Sequence, residues 1–266
     1  MTPSQIQAAA VALYRAEQTR KQIDILTLQH SDMDMDDAYA IQAGLCAQKS
    51  KAGGRTVGWK IGLTSKAMRA ALNIDIPDSG VLFEDMVFDN GGEIPGDRFI
   101  ETRIEAEIAF VMGAALSGPN VTRDDVIAAT EYVCPALEIL DTRILRKDPN
   151  TGTTRKIFDT IADNAANAGI VMGSQRHKIS DVDLRWAGAI VARDGEIEET
   201  GLGAGVLDDP ALAIAWLANR LGHYDQSIKP GEIVLSGSFI RPIEAPRGCR
   251  IDADFGAFGH VSCAFG

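Results

Sequence analysis

Apolar and polar positions follow two different periods along this 266-residue chain, and the change of period divides it. Near the N-terminus the spacing is that of amphipathic helices, which are predicted from about Pro3 to Lys21 and from about Met35 to Lys51. The second follows the cap-forming stretch Ser31 to Asp36 and stops at Gly53-Gly54. From Thr56 onward short β-rich runs punctuated by glycine take over: TVGWKIGLTS, GVLFEDMVF and RIEAEIAFVMG. A third helix is expected to open at the capping box beginning with Thr122 and to run through VIAATEYV, before Pro135 restarts the chain as the strand ALEIL. AGIVMGS and LRWAGAIVARDGEIEETG read as strands, the latter folded at Asp194-Gly195 into a hairpin. Asp209-Pro210 opens a further helix, ALAIAWLANRL, closed by Gly222, and GEIVLSGSFI and CRIDADFGAFGHVSCAF end the chain as strands.

Strands outnumber crossover helices, which excludes a repeated βαβ unit and a doubly wound sheet. The expected class is α+β: a helical N-terminal segment over residues 1–55 and a β-rich catalytic core over 56–266, one structural unit without repeats or a long linker. GLGAGV, at 201–206, follows a hairpin strand and does not begin a βαβ unit, so it is not read as a dinucleotide loop.

A formal net charge of −11 speaks against nucleic acid and anionic membrane as partners, since a phosphate backbone needs a basic face. It also means that an anionic substrate would need a metal ion, Lys or Arg placed locally. No apolar run approaches bilayer length, the opening lacks a signal-peptide pattern, and Cys46, Cys134, Cys249 and Cys263 show no C-x-x-C spacing. A cytoplasmic protein with reduced thiols is expected.

The chemistry concentrates in Arg103-Ile-Glu-Ala-Glu-Ile-Ala-Phe-Val. With period two, Glu105 and Glu107 share one face of a strand and Ile104, Ala106 and Ile108 the other. On an exposed edge this would be a solvated face, but the strand runs into Ala109-Phe110-Val111-Met112, and buried like charges must be neutralised by protons or a cation. Glu138 is equally anomalous within Pro-Ala-Leu-Glu-Ile-Leu, and a metal shared by all three explains both anomalies. Three oxygen ligands without an H-x-x-H suit Mg²⁺ or Mn²⁺ and disfavour zinc. Lys60, in GWKIG, either snorkels to the surface or points inward, where lost solvation would lower its pKa and make it an acid or base. Asp78, in IPDSG, reads from composition as a turn former. Asp163-Asn164 to Asn167 and Ser236-Gly237-Ser238 could turn the backbone or present amides and hydroxyls to a carboxylate.

In order, GWKIGLTSKAM, IPDSGVLFEDM, RIEAEIAFV, PALEILDTR, RKIFDTIADNAANAG, IEETGLGAGVL and AWLANRL closely resemble the hydratase/decarboxylase branch of the fumarylacetoacetate hydrolase superfamily, over nearly the whole chain. The resemblance implies a mixed β-sandwich roll with flanking helices, in homo-oligomers built from dimers. It implies Glu105, Glu107 and Glu138 as ligands to Mg²⁺ or Mn²⁺, Lys60 and Asp78 as proton-moving groups, and Leu63, Asn164 and Ser238 at the substrate. Some relatives continue Asp-Asn-Ala with Ser, whereas this chain continues Ala166-Asn167, which removes a hydroxyl there. The implied activity is hydration of an unsaturated 2-oxo dicarboxylate of aromatic catabolism. The alternatives are decarboxylation of 4-oxalocrotonate, hydration of the monocarboxylic 2-hydroxypenta-2,4-dienoate, or a non-catalytic partner of a pathway enzyme. Arg143, Arg155 and Lys156 are the cations available for a distal carboxylate.

Overall fold

The computed structural model describes residues 1–72 and 74–266. Helices α1 (Pro3–Thr19), α2 (Leu26–Gln29) and α3 (Met35–Lys51) come first. α1 is capped by Thr2 with Pro3 in its first turn, and α3 by Asp34, whose carboxylate accepts from the Asp37 amide at 2.9 Å. Leu13, Ile41 and Leu45 on their inner faces share a small apolar core with Ile144, Ile161 and Ala162 from later in the chain.

β1 (Thr56–Gly62), α4 (Lys66–Leu72) and β2 (Asp78–Phe83) follow, then β3 (Val87–Phe88), β4 (Glu93–Ile94) and the long β5 (Arg103–Met112). After α5 (Arg123–Ala129) come β6 (Thr130–Leu140), α6 (Ile157–Ala162) and β7 (Asn167–Met172). The hairpin of β8 (Gly188–Arg193) and β9 (Glu196–Leu202) turns at Asp194-Gly195, both at positive φ as a two-residue turn requires. α7 (Pro210–Gly222), capped by Asp209, leads to β10 (Ile233–Leu235), β11 (Ile243–Glu244), β12 (Arg250–Asp254) and β13 (His260–Phe265).

The strands form two sheets, a mixed architecture of helices and strands. One has the order β2-β1-β10-β5-β6-β7-β3 with β11 also on β5; the other has the order β4-β13-β12-β8-β9. Among the described residues parallel strand pairs are confined to β1–β10, β3–β7 and β4–β13, and no βαβ unit repeats. Ile104, Ala106, Ile108 and Phe110 of β5 point into the main core together with Ile251, Ala253 and Val261 of the second sheet. The opposite face of β5 and β6 carries Ala109, Cys134 and Ala136 in a smaller apolar patch, and with them the glutamates. β2 is an edge strand, and side chains occupy its outer backbone. Tyr39 Oη accepts from Ser79 N at 3.2 Å, and Gln42 Nε2 donates to Ser79 O at 2.9 Å. The Asn164 amide pairs with Val81 N and O at 2.8 and 2.9 Å.

The sequence reading needs correction between Thr122 and Pro135. The helix ends at Ala129, and Thr130-Glu-Tyr-Val is already strand, paired with the far end of β5. β-Branched and aromatic side chains on a half-buried ladder outweigh the weak helical continuation. Pro135 lies inside β6 because its carbonyl, accepting from Gly173 N at 2.8 Å, faces the point where β7 has ended, so the missing N–H costs at most one terminal bond. The short helices α2, α4 and α6 were not anticipated. Among the described residues no helix is long and apolar enough to cross a membrane.

Candidate active site

The antiparallel register of β5 and β6 sets Glu105 directly opposite Glu138, with Glu107 two residues along on the same face. One oxygen from each of the three carboxylates lies within 4.8 Å of the others, and among the described residues they are the only His/Cys/Asp/Glu group so placed. Glu107 and Glu138 are fully buried and Glu105 is half-buried. Burial is the main force on each carboxyl: it pushes Glu105 up to about 8, with Glu138 adding to the push, and it lifts Glu107 and Glu138 as well. Gly237 N donates to Glu107 Oε2 at 2.8 Å and Asn167 Nδ2 to Glu138 Oε1 at 3.1 Å. Glu107 Oε1 and Glu138 Oε2 are buried with no donor, as is Asn167 Oδ1. Like carboxylates facing each other across a ladder are destabilising, and buried acceptors without donors cost more. A hard divalent cation among the three oxygens meets both needs, so the residues present fit such an ion.

This geometry sets a pH dependence. In protein stripped of metal, Glu105 keeps its proton up to about pH 8 when folded but loses it near 4.5 when unfolded. The unfolded chain therefore binds fewer protons between those values, and stability falls as pH rises through that window before levelling off. Urea titrations in chelator should show a midpoint that declines from acid toward pH 8, and Mg²⁺ should flatten the decline. An unchanged midpoint across this range would mean the carboxylates are not held as described.

Lys60 points inward, which removes the snorkelling alternative: it is buried, and its Nζ lies 3.6 Å from Glu138 Oε1. Its pKa moves opposite to the expectation. Burial does disfavour the ammonium, but Glu138, Asp78, Glu105 and Glu107 together outweigh it and hold the group protonated. Asp78 is no exposed turn residue either. It begins β2, buried opposite Gly62, with burial raising its carboxyl against the pull of Lys60 and a hydrogen bond from Gly62. At Gly62 a Cβ would stand 2.2 Å from Asp78 Oδ1 and 2.9 Å from Lys60 Nζ, so any larger residue would displace one of these two groups.

Leu63 leaves β1 at φ 55°, and its carbonyl accepts from Arg69 Nη1 at 2.9 Å. Gly237, at φ 111°, packs so closely on Thr64 that a Cβ would reach within 2.4 Å of the Thr64 hydroxyl. The segments leaving β1 and β10 therefore meet beside Glu107. Asn164, Ala165 and Ala166 are all left-handed, at φ 52°, 52° and 59°, a conformation costing about 1–2 kcal/mol per residue outside glycine. The Asn164 amide is spent on Val81, and Ser238 Oγ on the backbone of Ile240, donating to its O at 2.9 Å and accepting from its N at 3.2 Å. Both residues thus place backbone and do not aim a free polar group at the glutamates.

Arg143 is not available to a ligand. It is buried, with Nε 2.5 Å from Asp163 Oδ1 and further bonds to the carbonyls of Asp163 and Asn167. Arg155 bonds Thr142 and Lys156 is exposed. The residues that sequence reasoning undervalued are Asn167 and Ser236, the latter fully buried with a hydroxyl that has no partner. Their one signal was polarity beside apolar strands.

No family model matches the chain. Over 256 residues it is 49% identical to the 2-oxo-hept-4-ene-1,7-dioate hydratase of Escherichia coli, covering 96% of each chain. The chain belongs to the hydratase/decarboxylase branch of the fumarylacetoacetate hydrolase superfamily. Within this superfamily it is also 37% identical to the 2-hydroxyhexa-2,4-dienoate hydratase of Comamonas testosteroni, over 98% of this chain and 97% of that one. Its structure superposes with a TM-score of 0.93, at 32% identity, on the 4-oxalocrotonate decarboxylase of Pseudomonas putida G7 complexed with magnesium and adipate. That superposition covers 100% of this superfamily member and 98% of the decarboxylase.

Proposed function

We propose that the chain is a cytoplasmic, Mg²⁺-dependent hydro-lyase that adds water to 2-oxo-hept-4-ene-1,7-dioate, giving 4-hydroxy-2-oxo-heptanedioate. The observation that carries this reading is the convergence of Glu105, Glu107 and Glu138 on one point, with a buried Lys60 3.6 Å from Glu138 and Asp78 beside it. The hydratase that is 49% identical over 96% of the chain supports the reaction and the substrate.

The three glutamates hold the metal, with Asn167 and the Gly237 amide orienting two of them. When bound, the ion supplies open positions for a 2-oxo carboxylate and Lewis-acid stabilisation of charge developing at the 2-oxo oxygen. Lys60, held protonated among carboxylates, donates the proton, while Asp78, whose buried carboxyl is lifted above its ordinary value against the pull of Lys60, accepts one. Leu63 and Ser238 line the end where the substrate chain leaves the glutamates. Oligomer formation from dimers is supported by the apolar outward face of the β8–β9 hairpin, where Ile197 is 68% exposed beside Ile190 and Leu202, with Trp186 at 73% just before it. A monomer by sedimentation velocity would remove that part of the reading.

The second reading is decarboxylation, favoured by the 0.93 TM-score against a decarboxylase. NMR of products formed with and without Mg²⁺ separates the two. The expected outcome is metal-dependent 4-hydroxy-2-oxo dicarboxylate from the seven-carbon substrate. Release of CO₂ from 2-oxohex-3-ene-1,6-dioate, without hydration of the longer acid, would make the enzyme a decarboxylase.

A further inference from the structure

A second cleft, of about 900 Å³, opens at the outer edge of β1 and β2, between α3 and the end of α7. Its lining includes none of the three glutamates and neither Lys60 nor Asp78. Arg220, half-buried at the last turn of α7, is among the residues that line it. Its guanidinium lies 4.4 Å from the ring centroid of Tyr39 and 5.8 Å from those of Trp216 and Tyr224. Aromatic rings thus flank it, yet it has no hydrogen bond or carboxylate partner among the described residues. Every other arginine described that is not exposed has at least one: Arg69 bonds two carbonyls, Arg155 bonds Thr142, and Arg98, Arg103, Arg143, Arg146 and Arg193 each pair with a carboxylate. In a chain of net charge −11 a half-buried cation left without an anion is conspicuous.

The acidic residues of the cleft do not supply that anion. Glu232 is engaged by Trp59 Nε1 at 3.1 Å and by Lys229 N at 2.9 Å, and Asp36 and Asp225 are exposed at the mouth. A planar guanidinium with five donors and aromatic neighbours is the side chain best matched to bidentate binding of a carboxylate or phosphate. Lys229 adds a second cation to the lining, and Gln42, Ser79 and Ser227 add polar groups.

We propose that this cleft is a binding site, separate from the glutamate cluster, for a small molecule bearing a carboxylate or phosphate, with Arg220 as its anchor. The occupant would bear on the reaction indirectly, through Tyr39 and Arg220. The Tyr39 ring under Arg220 holds the backbone of Ser79, next to Asp78, and the charge of Arg220 reaches the Asp78 carboxyl. A bound anion would offset that charge and alter turnover without competing with substrate.

The test titrates the Mg²⁺-loaded protein with inorganic phosphate and, separately, with succinate at constant ionic strength, following the fluorescence of Trp59, which lines the cleft, and of Trp216, whose ring neighbours Arg220. A saturable change with one of the two anions is expected, and which one responds identifies the headgroup. It should persist in Glu107→Gln and be weakened roughly tenfold or more in Arg220→Gln. Absence of saturation with both anions, or loss in Glu107→Gln with retention in Arg220→Gln, overturns the proposal. Should Arg220→Gln not fold, phenylglyoxal labelling of the wild-type protein decides by peptide mapping: the responding anion slows modification of Arg220, and an unchanged rate sinks the idea.

Discussion

Replacing Glu107 by glutamine is expected to lower turnover on the order of 10³-fold or more while leaving the fold intact, because it removes a charge at the point where a divalent cation must be held. The substitution keeps the shape of the side chain, and its amide oxygen still accepts from Gly237 N. Its new N–H₂ takes the place of Glu107 Oε1, an oxygen without a donor, and can donate to the neighbouring Glu138. Two effects should therefore separate. Mg²⁺ binding measured by calorimetry is lost with activity, whereas in chelator the variant melts at a higher temperature than the wild type, since folding no longer has to bury a carboxylate or take up a proton at this position. Activity within tenfold of wild type, or a wild-type rise in melting temperature with Mg²⁺, would remove Glu107 from the metal site.

The largest loss of stability should come from a pair that never meets a substrate. Asp163→Asn leaves the Arg143 guanidinium buried without its counter-charge, at a cost of roughly 3–5 kcal/mol. Arg143 also donates to the carbonyls of Asp163 and Asn167, at 2.6 and 3.1 Å, and Asp163 accepts the Arg143 backbone N–H at 2.8 Å. The pair thereby clamps both ends of the left-handed turn Asn164–Ala166 and sets Asn167 against Glu138. Loss of stability should accordingly be accompanied by loss of turnover. Changing both residues to leucine should restore part of the stability, though not all, because two carbonyls lose their donor. Urea unfolding measures this, and Asp163→Asn within about 1 kcal/mol of wild type would show that the pair is dispensable.

Much of the site was legible because charge in an apolar strand is costly. Glu105 and Glu107 stand out by the two-residue period and Glu138 by its isolation, and these arguments needed no tertiary information. That Glu105 faces Glu138 was not legible, since register depends on how two strands remote in sequence align. The inward aim of Lys60 was left open by its own strand, and the sign of its pKa shift depends on four carboxylates from three other strands. Asn164 shows a related limit: the partner of its amide, the Val81 backbone, lies on a strand remote in sequence and is not legible from its own segment. Thr130-Glu-Tyr-Val shows the same limit at the level of elements, where pairing with β5 decides a stretch whose local pattern continued the helix.

The covered edge of β2 bears on how far the protein can be taken apart. Ser79, beside Asp78, finds its backbone partners in Tyr39 and Gln42, both from α3. A chain begun at Thr56 would lose them and, although Asn164 would still cover Val81, present the start of the strand edge to its own copies, which favours open-ended strand addition over a smaller working enzyme. The helical N-terminus is therefore no detachable appendage. It keeps the strand that starts with Asp78 from recruiting a foreign one, and trimming it should yield fibrils or inclusion bodies before it yields a minimal catalyst.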